Sequence, residues 1–323
     1  MKKVLTNQST INHFQKVAQD VFIENEENAI KLHKELKELY KESISNIENE
    51  IAKLYANFSK YGDISLEKAN ELIKGDEFKE WRYSLKDYLK RIEATQNDDL
   101  KLELETLTHR ARISRLEALK TKMDVEYALL ADNTEKKTKK YLKEVVKNTY
   151  RKHIKSFLKI NIISKRVSTD LNNVFIEDLL KSSWKNSNYS KRIWKNIDKI
   201  GEIAKKSVNS ALVEGKSYQN IVNDLKGKYG DIYAHSFDRL VKTETAYINT
   251  ISEVKAFKDA GLDQYEISAV LDDRTSDICR SQDGEIYELK DLVVGKNAPP
   301  FHPRCRSIIV AVTDYDKLFK KEV

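Results

Sequence analysis

The sequence predicts a mostly α-helical protein with a C-terminal α+β module: a long helical hairpin or bundle, then more helices and a small, mainly antiparallel sheet. Three observations predict it. Breakers are scarce: the 323 residues hold nine Gly and three Pro, and every Pro lies between Pro299 and Pro303. A chain so short of breakers is free to form long helices. Apolar residues recur at steps of three and four over two long stretches, the period of a helical stripe. After Gln264 the period changes to two, as in a half-buried strand.

The first stripe belongs to a helix expected from about Glu24 to Phe58, with Leu36, Tyr40, Ile44, Ile47, Ile51, Leu54 and Phe58 on one face. Lys37-Glu38 and Glu48-Asn49-Glu50 fill the other faces, and Tyr61-Gly62-Asp63 reads as its stop. A shorter amphipathic helix is expected through Trp81, Leu85, Tyr88, Leu89 and Ile92. The second stripe uses Ile113, Leu116, Leu119, Met123, Tyr127 and Leu130. Such stripes ordinarily mark core. Residues 1–165 are therefore read as an elongated helical domain with a basic C-terminal segment, and residues 166–323 as a second domain.

Charge is spread unevenly. Between Lys136 and Arg166 stand twelve Lys or Arg against one acid, Glu144, a local +11 in a chain whose total is +7. The segment reads as a helix whose less charged face carries Leu142, Val145, Val146, Thr149, His153, Phe157 and Ile160. The candidate contacts to an anionic partner are Lys136, Lys137, Lys139, Lys140, Lys143, Lys147, Arg151, Lys152, Lys155 and Lys159. Three readings stand: a solvated helix face, non-specific contact with the phosphates of double-stranded DNA, or docking on an acidic protein surface.

Beyond Ser183 two tryptophans, Trp184 and Trp194, lead into a helix through Ile197, Ile200 and Ile203. Gly215 breaks the pattern, and Ser217 is placed to cap a helix carrying Tyr218, Ile221, Val222 and Leu225, which Gly227 and Gly230 should end. A longer helix is expected from about Tyr233 to Ala260, with Gly261 as its left-handed terminator. Gln264–Leu271 alternates as a strand, Asp283-Gly284 signals a turn into the short strand Glu285-Ile286-Tyr287, and the β-branched run Arg306–Val312 reads as the central strand.

The residues with chemical potential gather in this sheet region. His302 and Cys305 have the H-x₂-C spacing that lets one turn present two metal ligands, Cys279 is a third, and Asp272, Asp283 or water could be a fourth. Three states are open: a metal-free buried cluster with His302 hydrogen-bonded by Asp272 or Asp283, a zinc site, or a Cys279–Cys305 disulfide. A catalytic zinc would need a separate general base, and none has a convincing place; a thiolate beside His302 also has the elements of a nucleophile, but the composition favours a structural role. Pro299, Pro300 and Pro303 should stiffen the segment into an extended strap that carries His302 back over the Asp272–Cys279 loop. Glu244 is either an exposed carboxylate or a partly buried anchor for Arg274 or loop amides.

Several classes are excluded or set aside. No apolar run approaches the ~18 residues of a spanning helix, and no partner in a membrane is expected. Met1–Asn7 lacks the apolar core of a secretory signal. Two cysteines make no disulfide scaffold, so a reducing compartment is the default. Neither a Walker loop nor a G-x-G-x-x-G is present.

Lys242-Thr243-Glu244, the Gly261–Leu271 stretch, Asp272-x-x-Thr275-x-x-x-Cys279, Asp283-Gly284 and Pro299-Pro300-x-His302-Pro303-x-Cys305-Arg306 together resemble the C-terminal domain of Mu protein F-like phage head morphogenesis proteins. Trp184, Ser190-x-Arg192-Ile193-Trp194 and Gly215-x-Ser217-Tyr218 resemble the same minor head proteins. The resemblance covers roughly Trp81 to Val312 and is specific over the last seventy residues. It implies a low-copy, non-enzymatic procapsid component inside the virion head, with portal, capsid and scaffold proteins as partners, and with Glu244, Thr275, Asp283, Gly284, Pro300, Pro303 and Arg306 as structural motif positions. Many relatives carry further cysteines where this chain has Ser276 and Ser307, so a four-cysteine cluster cannot form and the need for zinc is left open. The competing functions are a metal-dependent hydrolase or toxin-type effector related to these proteins, and a free-standing coiled-coil DNA-binding protein.

Overall fold

The computed structural model describes residues 7–59, 87–88, 90–93, 98–99, 101–102, 115–163 and 167–312. The expected stop at Tyr61-Gly62-Asp63, and Trp81, Leu85, Leu89, Ile113 and Arg166, lie outside them, as does the side chain of Phe58. The order is α1 (Asn7–Ser59), α2 (Arg115–Lys159), α3 (Asn173–Lys181), α4 (Tyr189–Val213), α5 (Tyr218–Lys226), α6 (Lys228–Asp259), β1 (Gln264–Ser268), α7 (Asp277–Gln282), β2 (Ile286–Glu288), a 3-10 turn at Leu289–Asp291 and β3 (Ile308–Val312). The fold class is the expected one, long helices followed by a small antiparallel sheet. No described helix is long and apolar enough to cross a membrane.

The chain forms two compact units, each assembled from separated stretches: Met1–Leu32, Lys137–Tyr189 and Asp238–Val323 in the first, His33–Lys136 and Ser190–Phe237 in the second. In the second unit the predicted stripe is buried from Leu36 to Leu54, as are Leu119, Met123, Tyr127 and Leu130. Tyr40 stacks on Tyr233 at 4.7 Å between ring centroids, and its hydroxyl donates to the Leu225 carbonyl at 2.9 Å. Gly201 lets the chain pass close to Tyr127: an added Cβ would lie 3.0 Å from its ring, which would have to shift. A buried ion pair, Lys122 Nζ to Glu50 Oε2 at 2.5 Å, lies in the same unit. Tyr88 and Ile92 are buried in a smaller cluster with Ala118, Val125 and Ala128.

The first unit is built around an aromatic cluster. Phe14 of α1 meets Phe157 of α2 edge-on at 5.2 Å, and Phe157 meets Phe257 of α6 at 5.9 Å. The sheet closes this core with Tyr265 and Ile267 of β1 and most of β3. Polar groups inside are joined to one another: Asn25 Nδ2 and Thr149 Oγ1 both donate to Asn249 Oδ1 at 2.8 Å. Lone buried amides would cost stability, and this triad satisfies them.

Three element boundaries and the strand order differ from expectation, each for a physical reason. Helix α1 begins at Asn7 rather than near Glu24, because its stripe continues backward through Asn25, Val21, Ala18 and Phe14, all buried. The helix expected through Ile197, Ile200 and Ile203 is α4, in which Ile203 is 39% exposed, off the face that Ile193, Ile197 and Ile200 bury. Gly227 ends α5, but α6 starts one residue later and runs through Gly230, which packs closely on Tyr40. Strand β1 stops at Ser268, and Leu271 is 54% exposed. Finally, the strand order β2-β1-β3 puts β1, not β3, in the centre. The apolar run in β3 reflects burial of four of its five residues, not pairing on both edges.

Candidate metal centre

Helix α6 ends at Gly261, whose φ of +72° lets the Leu262 N–H turn back to the Phe257 carbonyl at 3.0 Å. The chain then enters β1, and the turn after it is locked by side chains. Thr275 Oγ1 donates to the Val270 carbonyl at 2.6 Å and accepts from the Asp272 N–H at 2.7 Å. Asp283 Oδ1 accepts from the Ala269 N–H at 2.8 Å, and Gly284, at φ +79°, donates to the Ile267 carbonyl at 2.9 Å. Ser276 caps α7 by accepting from the Cys279 N–H at 3.3 Å. Cys279 is thereby fixed facing inward, 4% exposed.

The proline segment supplies the other side. It is not the extended strap that its composition suggested: residues 301–304 are bends and a turn, with Cys305 N–H donating to the His302 carbonyl at 3.2 Å. The Pro299-Pro300 peptide is cis. Arg304 sits at φ +59°, held by α6: its N–H donates to Thr243 Oγ1 at 3.1 Å and its Nε to Asp238 Oδ2 at 2.8 Å. Arg306 then grips Asp272 with two hydrogen bonds, at 2.7 and 2.5 Å. That grip holds the Asp272 carboxyl well below the usual carboxylate range.

Between these walls Cys279 Sγ lies 3.1 Å from His302 Nε2 and 3.6 Å from Cys305 Sγ. The three ligand atoms all lie within 4.8 Å of one another. His302 is half-buried, and its Nδ1 is 2.8 Å from the Pro303 carbonyl. A carbonyl accepts only, so Nδ1 carries the proton and Nε2 offers its lone pair toward the sulfurs. The hydrogen bond between the thiols lowers the pKa of Cys279 and raises that of Cys305. Both cysteines are free thiols.

This donor set fits a metal. Tetrahedral ligation with Zn–S near ~2.3 Å puts two sulfurs about 3.8 Å apart, close to the 3.6 Å seen here. Asp272 is committed to Arg306, and Asp283 to the Ala269 amide, so neither completes the set or orients His302. Glu244 is buried rather than exposed, while Arg274 turns to Asp272 at 3.4 Å instead of to Glu244. Pro300 follows the buried Ala298 into the core, whereas Pro303 is exposed on the His302 turn.

Residues 202–310 match the model of the phage Mu protein F like family. No curated protein and no solved structure matches the chain. The Mu F-like segment runs from inside α4 to the middle of β3 and contains the whole Cys/His cluster. Two supports of the cluster had no role assigned from sequence, Asp238 and Thr243. The faint signal was Asp238 four residues before Lys242, a helical ion-pair spacing.

The basic segment lies outside the Mu F-like match, in α2. Lys136, Lys140, Lys143, Lys147 and Arg151 follow one another at steps of three and four and so share a face. Acids temper that face. Lys139 and Lys143 both pair with Glu177, drawing its carboxyl down to about 2. Lys136 pairs with Asp132, Lys147 with Glu144, Arg151 with Asp170 and Lys152 with Glu24. Lys140, Lys155 and Lys159 are exposed, and Lys137 is half-buried. The local +11 of the sequence is therefore an overstatement of the charge on the surface.

Proposed function

We propose that the chain is a structural minor head protein of a tailed bacteriophage, acting in procapsid assembly with the portal, capsid and scaffold proteins and residing inside the head after assembly in the host cytoplasm. The observation that carries this reading is the Mu F-like match over residues 202–310. In this reading the Cys279, His302 and Cys305 donors hold zinc as a clamp. The ion would tie the α7 turn to the His302–Cys305 turn. The α2 face, through Lys140, Lys143, Lys147, Arg151, Lys155 and Lys159, then lies against packaged duplex DNA without reading its sequence. The deciding experiment isolates procapsids from a lysate of the encoding phage. Co-sedimentation of the chain with portal at a few copies per particle is expected, and its absence from procapsids and virions would overturn the reading.

A second reading, a Cys/His-dependent hydrolase, has one observation in its favour, the 3.1 Å approach of His302 Nε2 to Cys279 Sγ. Against it, Cys279 is almost fully buried and capped into a helix, where a substrate carbonyl has no access. Time-dependent loss of free thiol with a small electrophile at native pH would favour the hydrolase. Resistance until the chain is unfolded would favour the clamp.

A further inference from the structure

Far from the thiols, the core of the first unit holds a carboxyl group with no exposure at all. Glu253 of α6 is 0% exposed and His153 of α2 is 2% exposed, with His153 Nε2 3.4 Å from Glu253 Oε1. At that length the contact is an ion-pair approach rather than a well-formed hydrogen bond; Asn249 and the Ile309 backbone also approach the carboxyl, but none of these contacts has full hydrogen-bond geometry. The walls are aromatic: the His153 ring meets Phe257 edge-on at 5.4 Å and Phe157 at 6.1 Å. Burial raises the pKa of Glu253, while His153 of α2, Asn249 of α6 and the Ile309 backbone of β3 oppose the rise. Of these neighbours only His153 can carry charge.

We propose that this pair is a proton switch built into the first unit, which packs fully only while Glu253 and His153 hold one proton between them. With one proton the pair is neutral overall, whichever atom carries it. With none, a carboxylate is left without a counter-charge among phenyl rings; with two, an imidazolium is. Either state puts an uncompensated charge in the core, which is strongly destabilising.

The direction with pH follows from proton counting. In the unfolded chain the two groups titrate near ~4.3 and ~6.5. Above ~6.5 the unfolded pair holds no proton and the folded pair holds one, so folding takes up a proton. The folded-to-unfolded ratio then falls about tenfold for each further pH unit. Below ~4.3 the unfolded pair holds two, and the ratio falls again toward acid. The unit is tightest between those values, below neutrality. The inference does not depend on the head-protein reading.

Hydrogen exchange of the full chain tests it, followed on peptides covering residues 149–157 and 249–257 and corrected for the intrinsic pH dependence of exchange. Protection in the unmodified chain should be level from pH 5 to 6.5 and drop about tenfold per unit above ~7. Glu253→Gln, which keeps the shape and removes the ionisable proton, should abolish the drop between pH 7 and 9. Parallel profiles for the two proteins over that range would overturn the proposal. Should Glu253→Gln fail to fold, His153→Gln decides. With the carboxyl alone, protection should already fall between pH 5 and 6.5, where the unmodified chain is level. Equal behaviour of His153→Gln and the unmodified chain there would also overturn it.

Discussion

His302 has its two nitrogens assigned before any ion arrives, Nδ1 to the Pro303 carbonyl and Nε2 toward Cys279. Preorientation of that kind lowers the cost of binding. Metal analysis of the purified full chain should give near one equivalent of zinc. Cys305→Ser should lose it, because a serine hydroxyl is a poor zinc ligand. Full zinc content in Cys305→Ser would remove Cys305 from the ligand set. Asp272 allows a second prediction. Its folded pKa is depressed by Arg306, so the stability it contributes is present above ~3.9 and is lost as pH falls through the lower folded value. Thermal unfolding of Asp272→Asn should accordingly show a shallower acid slope between pH 4 and 2 than the unmodified chain, together with a lower Tm at pH 7. At this scale the sequence exposed the candidate donors that the fold brings together, since H-x₂-C spacing and the isolation of Cys279 are local facts. The partners of Asp272 and His302 were not legible: carboxylates compete for whichever cation the fold brings near, and Arg306 is 34 positions away in the chain.

Among the elements, helices were the readable part. Every described residue of the stripe from Leu36 to Leu54 is buried, because a 3.5-residue period admits only one continuous face. The first third of α1, before Glu24, was missed, where the seam is carried by Phe14, Val21 and the small Ala18, which has little hydropathy signal yet is buried. Ile51→Asp should cost on the order of 3–5 kcal/mol, as for an unpaired buried charge, seen as a fall in the urea midpoint by circular dichroism. A change below ~1 kcal/mol would mean that the seam opens readily to water. Strand order was hidden for a different reason. An edge strand buried by helices and a central strand have the same composition, so the sequence of β3 reads equally as either. For α2, duplex DNA should bind the full chain at low salt, with log affinity falling linearly in log salt by ~0.9 for each phosphate neutralised. Lys140→Gln with Lys155→Gln and Lys159→Gln should flatten that slope. No retardation of duplex at low salt would assign the face to an acidic protein instead. Because Glu177, Asp170, Asp132 and Glu24 already neutralise much of it, the slope should be smaller than the count of lysines suggests.

At the level of the whole molecule, compactness is interleaved along the chain: α1, α2 and α6 each contribute a stretch to both units. Division by sequence texture has no means of showing such a grouping, since texture is local and compactness is not. The interleaving also sets an order in time. The second unit has all its residues once Phe237 has been made, but the first, which begins with Phe14 and Ala18 in α1, lacks β3 until Val312 is added. At ordinary synthesis rates of ~5–20 residues per second, the first helix waits roughly 15–60 s for the strand that seals its core. During that interval Phe14, Ala18 and Val21 have no finished core to enter. A stalled nascent chain ending before Ile308 should be cut by added protease within residues 7–32, while the same segment in the released full-length chain should resist. Equal resistance in both would mean that the helices close this core before the sheet exists. On a ribosome, then, the N-terminal stretch is the earliest made and the last protected, and it is the place where a trigger-type chaperone would have most to hold.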